Sequence, residues 1–288
     1  MTASRFATWT QQISALLVVA VGLFGILIGS FLNVVIYRVP ARVSIVSPAS
    51  ACAHCGHAIR GFDNIPLLSW LVLKGKCRDC SVRISARYPL VELGTGLFFA
   101  LIASWVLFDG VQLTAVPIAS TILATVAYLY FAAICVSLSL IDLDTKRLPN
   151  AIVLPSYLVG AVLLAAASIS SGNYSALLTA AIGAVVLFAA YLLMALIYPG
   201  GMGFGDVKLA GVIGLYLGWL GWDVLAVGAL AAFVFGGLYS IGLLIARKAN
   251  SKTGVPFGPW MIIGAWVAIF IGPQIATGYL SMYGLGQL

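Results

Sequence analysis

Charge and apolar runs exclude one another along this chain, and that pattern decides its solvent. Eight of the fifteen Lys/Arg residues fall between Arg38 and Arg87, where the sequence is least apolar. The others are Arg5, Lys146, Arg147, Lys208, Arg247, Lys248 and Lys252, each at the end of an apolar run. A soluble domain carries about a quarter charged residues and about half apolar ones. Here 8% are charged and 62% are hydrophobic, more apolar surface than a soluble fold can hide. Lipid must solvate most of the chain.

A bilayer core of roughly 30 Å takes about 20 helical residues to cross. That ruler gives eight spans, at roughly 13–36, 90–108, 113–141, 151–170, 175–198, 207–221, 224–246 and 259–281. The sixth is short. The fifth and seventh are rich in Ala and Gly, which suits close helix packing. The first is too long for a secretory signal core and is followed by no small-residue cleavage site, so it reads as an uncleaved span.

Basic residues flank the cytosolic ends of membrane helices. With both termini outside, loops 37–89, 142–150, 199–206 and 247–258 face inward, and with their flanks they hold fourteen of the fifteen Lys/Arg residues. The expected fold is an all-α polytopic membrane protein of about eight transmembrane helices, with a small cytosolic insert after the first. Residues 1–37 form the N-terminal transmembrane helix, 38–89 a Cys-rich insert and 90–288 a seven-helix membrane domain. No internal repeat is visible. The net charge of +7 is spread over loop ends, not gathered on a soluble face, so no nucleic-acid partner is expected.

The insert carries Cys52-Ala53-His54-Cys55 and Cys77-Arg78-Asp79-Cys80. A two-residue gap lets both thiolates of a pair reach one metal, and two pairs close a tetrahedral site. A segment of this size has too little core to fold without a staple. Cytosolic placement opposes the alternative of disulfides, and a redox motif would need a βαβ context. Structural zinc on Cys52, Cys55, Cys77 and Cys80 is the expectation. His54 and His57 lie nearby, but four cysteines already fill the site and leave no open position. Cys135, inside an apolar run, reads as a core residue.

Of eight carboxylates, Asp109 and Asp223 sit at outer loop ends, Asp63 and Asp79 in the insert, and Glu92 at the start of the second span. Asp142, Asp144 and Asp206 remain. Asp142 and Asp144 end the third span; Asp206 opens the sixth after the glycine-rich run Gly200-Gly201-Met202-Gly203-Phe204-Gly205. The topology, set by apolar runs and basic residues alone, brings Asp206 to the same membrane face as the other two. Ionisable residues of a membrane bundle mark function. Two carboxylates a few ångströms apart share a proton, and such a pair hydrolyses an amide by general acid–base catalysis without metal or covalent intermediate. Asp142 and Asp144 lie about 200° apart on a helix, so only one can face Asp206. Chemistry alone leaves that choice open. Lys208 stands where it can pair with Asp206 or mark the membrane edge. A transporter would carry carboxylates midway across the bilayer and a pair of broken helices, and neither is visible.

The stretch Gly29-Ser30-Phe31-Leu32-Asn33-Val34-Val35-Ile36-Tyr37-Arg38-Val39-Pro40 resembles the opening motif of the type IV prepilin peptidases. The cysteine pairs, Asn64–Trp70, Arg87–Glu92, Ile141–Asn150 and Gly203-Phe204-Gly205-Asp206 resemble further motifs of that family, in the same order. The resemblance implies that Asp142 and Asp206 are the catalytic aspartates. It implies cleavage of basic leaders from prepilins and pseudopilins at the cytosolic face of the bacterial inner membrane, next to membrane lipids. It also implies N-methylation of the new N-terminus with S-adenosylmethionine as methyl donor. Asn150 departs from the aspartate common in the family.

Overall fold

The computed structural model describes residues 3–109, 117–198, 200–246 and 255–284. Among them nearly all regular structure is helical, with isolated bridges but no ladder of strands. The chain separates into two compact units, Met1–Ala115 and Val116–Leu288.

The first unit pairs α1 (Ala3–Arg38) with α3 (Arg87–Ser104), which runs on into a π-helical turn, Trp105–Asp109. Glycines let the two backbones approach closely. A Cβ on Gly25 would come 2.7 Å from Phe99 Cβ, and one on Gly29 would come 2.7 Å from Glu92 Cα. Such small-residue contacts replace the hydrophobic drive that helices lack in lipid. The insert between them contains a short helix, α2 (Leu68–Val72). Glu92 does more than begin a span: its Oε2 accepts from the Leu67 N–H at 2.7 Å, while Asn33 Nδ2 donates to the Tyr88 carbonyl at 3.1 Å.

The insert also contains a repeat that the sequence hides. Cys52 N–H donates to His57 O, Gly56 N–H to Cys52 O, and Ile59 N–H to Ser50 O. The same three bonds recur as Cys77 to Val82, Ser81 to Cys77, and Ile84 to Gly75, each at 2.8 to 2.9 Å in both copies. Ala51 bridges Ala58 as Lys76 bridges Arg83. Gly56 and Ser81 hold equivalent positive φ, at 72° and 58°. Only the cysteines and the closing isoleucine, Ile59 and Ile84, are common to both copies, so the repeat lies mostly in the backbone.

The second unit comprises α4 (Ile118–Thr145), α5 (Asn150–Ser171), α6 (Tyr174–Ile197), α7 (Phe204–Leu220), α8 (Trp222–Ile245) and α9 (Gly258–Met282). Among the described residues of both units, seven helices are long and apolar enough to cross a membrane. The expected sixth span, α7, has 17 residues, about 25 Å at 1.5 Å per residue. Eleven of its residues are buried, so protein and not lipid surrounds it and it need not bridge the bilayer core alone. The chain is a multi-pass membrane protein. The basic residues Arg247, Lys248 and Lys252 and the expected start of the third span at 113–116 lie outside the described residues.

Aromatic side chains lock α7 to its neighbours. Phe131 stacks on Tyr216 with ring centres 4.2 Å apart and on Trp266 at 5.3 Å, joining α4, α7 and α9. Tyr128 Oη donates to Tyr216 O at 2.9 Å, and Tyr157 Oη donates to Lys208 O at 2.6 Å. Backbone meets backbone between α6 and α7, where a Cβ on Gly214 would collide with the carbonyl of Gly183. Gly214→Val should therefore destabilise the unit by about 1–3 kcal/mol, the usual range for overpacking. Unfolding in mixed micelles measures it, and Gly237→Ala, where a Cβ meets nothing, is the silent control.

Candidate active site

α4 ends because Lys146 takes a left-handed conformation, φ 52°, with its N–H bonded to the Asp142 carbonyl. Asp142 thus occupies the last turn of the helix and is 4% exposed. Its Oδ2 accepts from the Gly258 N–H at 3.1 Å, at the start of α9. Asp206 lies in the first turn of α7 and is 9% exposed. Its Oδ2 accepts from the Gly203 N–H at 3.2 Å, while its own N–H donates to Gly203 O at 3.0 Å. The two carboxylates are within electrostatic reach of one another.

Leu148 joins the two halves of this arrangement. A Cβ on Gly205, beside Asp206, would come 2.9 Å from Leu148 Cβ. A Cβ on Gly258 would come 3.5 Å from Leu148 Cδ1 and 2.8 Å from Asp142 Oδ2. Both glycines are needed because side-chain atoms fill the space where a Cβ would stand. Tyr191 on α6 is within electrostatic reach of Asp206 and packs with Phe233 and Phe257, ring centres 5.6 and 6.3 Å away.

Asp144 is exposed, on the opposite side of α4 from Asp142. Lys208 does not turn to Asp206. Its Nζ donates to Asn150 Oδ1 at 2.9 Å and lies 4.8 Å from the centre of the Phe204 ring. The Asn150 position, read from sequence as a departure outside the pair, thus contacts α7 two residues beyond Asp206.

In the insert, the sulfurs of Cys52, Cys55, Cys77 and Cys80 all lie within 4.8 Å of one another, a cluster that could hold a metal ion. Backbone amides of Cys55 and His54 aimed at Cys52 lower the pKa of its thiol, while that of Cys80 is raised in the same cluster. The module is braced on one side by Arg78, which forks onto Asp63 at 2.6 and 2.9 Å and holds that carboxyl below its usual range. Arg60 pairs with Asp79 at 2.9 Å. Cys135 is buried, as expected of a core residue.

Residues 23–106 match the bacterial peptidase A24 N-terminal domain, and residues 129–241 match the type IV leader peptidase family. The prepilin leader peptidase/N-methyltransferase of Aeromonas salmonicida (strain A449) is 37% identical over 289 residues, covering 90% of this chain and 92% of its relative. The chain belongs to the type IV leader peptidase family. Its counterpart in Pseudomonas aeruginosa is 36% identical, with 91% of this chain and 93% of that one aligned. The Dichelobacter nodosus protein is 34% identical, over 88% and 92%. No solved structure matches the chain significantly.

Sequence reasoning about this member of the family missed Gly258. Its signal was there: Pro256-Phe257-Gly258-Pro259 opens an apolar run, and proline in the first helical turn leaves few free N–H groups to spend. What no pattern carries is that one of those N–H groups points at a carboxylate 116 residues earlier. A Gly258→Ala protein should remain inserted in the membrane yet lose most of its peptidase activity, because the added methyl displaces Asp142 Oδ2. Cleavage of a prepilin in detergent, set against Gly278→Ala, where a Cβ has open space, checks this.

Proposed function

We propose that Asp142 and Asp206 are the catalytic pair with which this aspartic peptidase removes the leader from type IV prepilins and pseudopilins. The observation that carries the reading is two buried carboxylates, from α4 and α7, held within electrostatic reach by backbone N–H groups. One ionised carboxylate takes a proton from water as the water oxygen attacks the scissile carbonyl carbon. The protonated partner gives its proton to the carbonyl oxygen. Collapse of the tetrahedral intermediate breaks the C–N bond, the amine leaves with a proton, and the pair returns to sharing one.

The membrane orientation belongs to the same reading. Fourteen of fifteen Lys/Arg residues fall in or beside the loops assigned to the inside, which puts the pair and the insert at the cytosolic face of the bacterial inner membrane. Zinc is the metal of the insert. Cys52 Sγ and Cys80 Sγ are 3.9 Å apart, and a tetrahedron with Zn–S of about 2.3 Å has an edge of about 3.8 Å. Four cysteine ligands leave no position for water, so its role is to hold the two knuckles together. S-adenosylmethionine, when bound, supplies a methyl group to the new N-terminal amine; among the described residues no side-chain cluster marks its place, and no step is routed through it.

Asp142→Asn and Asp206→Asn should each lower the cleavage rate on the order of 10²–10⁴-fold or more. The protein should still extract with membranes and melt as the parent does. Normal processing of a prepilin in vesicles by either variant would end the proposal. Purified protein should contain about one zinc per chain by elemental analysis, the stoichiometry of a single four-cysteine site, and lose it in Cys52→Ser or Cys77→Ser.

A further inference from the structure

The insert carries an apolar face that nothing in its own unit covers. Leu68, Leu71 and Val72 on α2 are 57%, 63% and 68% exposed, and Ile65 just before them is 48% exposed. On a helix of 3.6 residues per turn the first three fall within an arc of about 100°. The opposite side of α2 is committed: Trp70 lies under Gly75 and donates from Nε1 to Ile84 O at 3.2 Å. The exposed side is therefore fixed in direction.

Its level along α3 is fixed as well. The Leu67 N–H that starts α2 is bound by Glu92, five residues into α3 from Arg87. At 1.5 Å per residue that contact lies about 8 Å along the axis of the span. Asn33 on α1 donates to Tyr88 O at the start of α3, so the two spans that carry the insert are themselves tied together. Leu67 itself, at φ 59° and ψ −51°, closes a γ-turn in which the Leu68 N–H reaches back to Pro66 O at 2.6 Å. A left-handed leucine is costly, and here it sets α2 against the side of the span.

Charge points the same way. The insert's acids are engaged: Asp63 with Arg78, Asp79 with Arg60, and Glu92 with the Leu67 N–H. Arg42, Lys74 and Lys76 are exposed and make no ion pair among the described residues. Two of them follow α2 directly, and Arg42 follows the end of span α1.

We infer that α2 is an interfacial anchor: Ile65, Leu68, Leu71 and Val72 enter the headgroup–acyl boundary of the leaflet, and Arg42, Lys74 and Lys76 meet anionic lipid phosphates. An apolar face of this kind seats about 5–10 Å into that boundary. The metal module is thereby pressed to the membrane surface on two sides, by the α1–α3 pair and by lipid.

The test places the photoreactive residue p-benzoylphenylalanine at position 71 of the full-length, zinc-loaded protein, with position 97, a 63% exposed leucine within span α3, as reference. Both proteins are reconstituted in vesicles of phosphatidylethanolamine and phosphatidylglycerol, irradiated and weighed intact. Position 71 is expected to gain the mass of one phospholipid, as position 97 does. Its adducts are expected to be richer in phosphatidylglycerol than the vesicle is. Lipid adducts at 97 with none at 71 would overturn the inference. A product of dimer mass at 71 would overturn it in favour of a second copy of the chain. Lipid adducts at 71 that merely follow the bulk composition would overturn the part assigned to the basic residues.

Discussion

A carboxylate buried in a membrane bundle has to be met by donors, and this fold meets both of its buried pair with backbone N–H groups at the starts of helices. Gly258 opens α9 and bonds Asp142; Gly203 precedes α7 and bonds Asp206. Helix starts carry unpaired N–H groups and the positive end of the macrodipole. Much else follows from that need. α7 has to begin at the level where α4 ends, α9 has to begin beside both, and the connecting backbone has to be bare enough to fit. A side-chain cation would neutralise one carboxylate outright. Lys208, the nearest in sequence, is drawn away to Asn150 and the Phe204 ring.

The spans and the metal cluster were legible because each is written in local pattern. Apolar length reports a helix in lipid, and Cys-x-x-Cys spacing reports a knuckle. The face that Asp142 takes was legible only as an alternative: the 200° that separates it from Asp144 says that one must turn inward, and packing against α9 selects it. Gly258 and Leu148 were not legible. Their contribution is a position relative to residues far away in the chain, and neither a glycine nor a leucine in an apolar sequence distinguishes itself by type. The shortness of α7 was visible, but its reason was not. A helix enclosed by α4, α5, α6, α8 and α9 has the protein for its solvent, so the bilayer ruler does not bind it.

The knuckles show the converse case, in which residues differ and structure repeats. A tetrahedral metal site constrains the cysteines and the turn that follows them, and little besides. Positive φ at the turn is met by Gly56 in one copy and by Ser81 in the other. The second copy therefore accepts backbone strain that the first avoids. Sequence comparison of the two copies sees only the cysteines and one isoleucine, because the remaining likeness is held in hydrogen bonds.

Rigidity in this protein comes from different sources in its two units. In the second, stacked aromatics and glycine contacts fix helices against each other over their whole length, and the carboxylates inherit that order. In the first, two helices touch along a glycine seam, and side-chain bonds tie the insert to them: Glu92 accepts from the Leu67 N–H, and Arg38 Nη1 donates to Ser44 O at 2.9 Å. Hydrogen bonds of this kind, each contributing about 1 kcal/mol net, are weak ties for a module of fifty residues. The apolar free side of α2, with Leu68, Leu71 and Val72 exposed, adds a support from lipid. Losing Glu92 alone should then loosen the insert without releasing it, whereas losing Glu92 together with the apolar face of α2 should free the insert to move as a body. Hydrogen exchange of the Leu67 and Leu68 amides in vesicles, compared between Glu92→Gln and the same protein carrying Leu71→Ser, separates one support from the other.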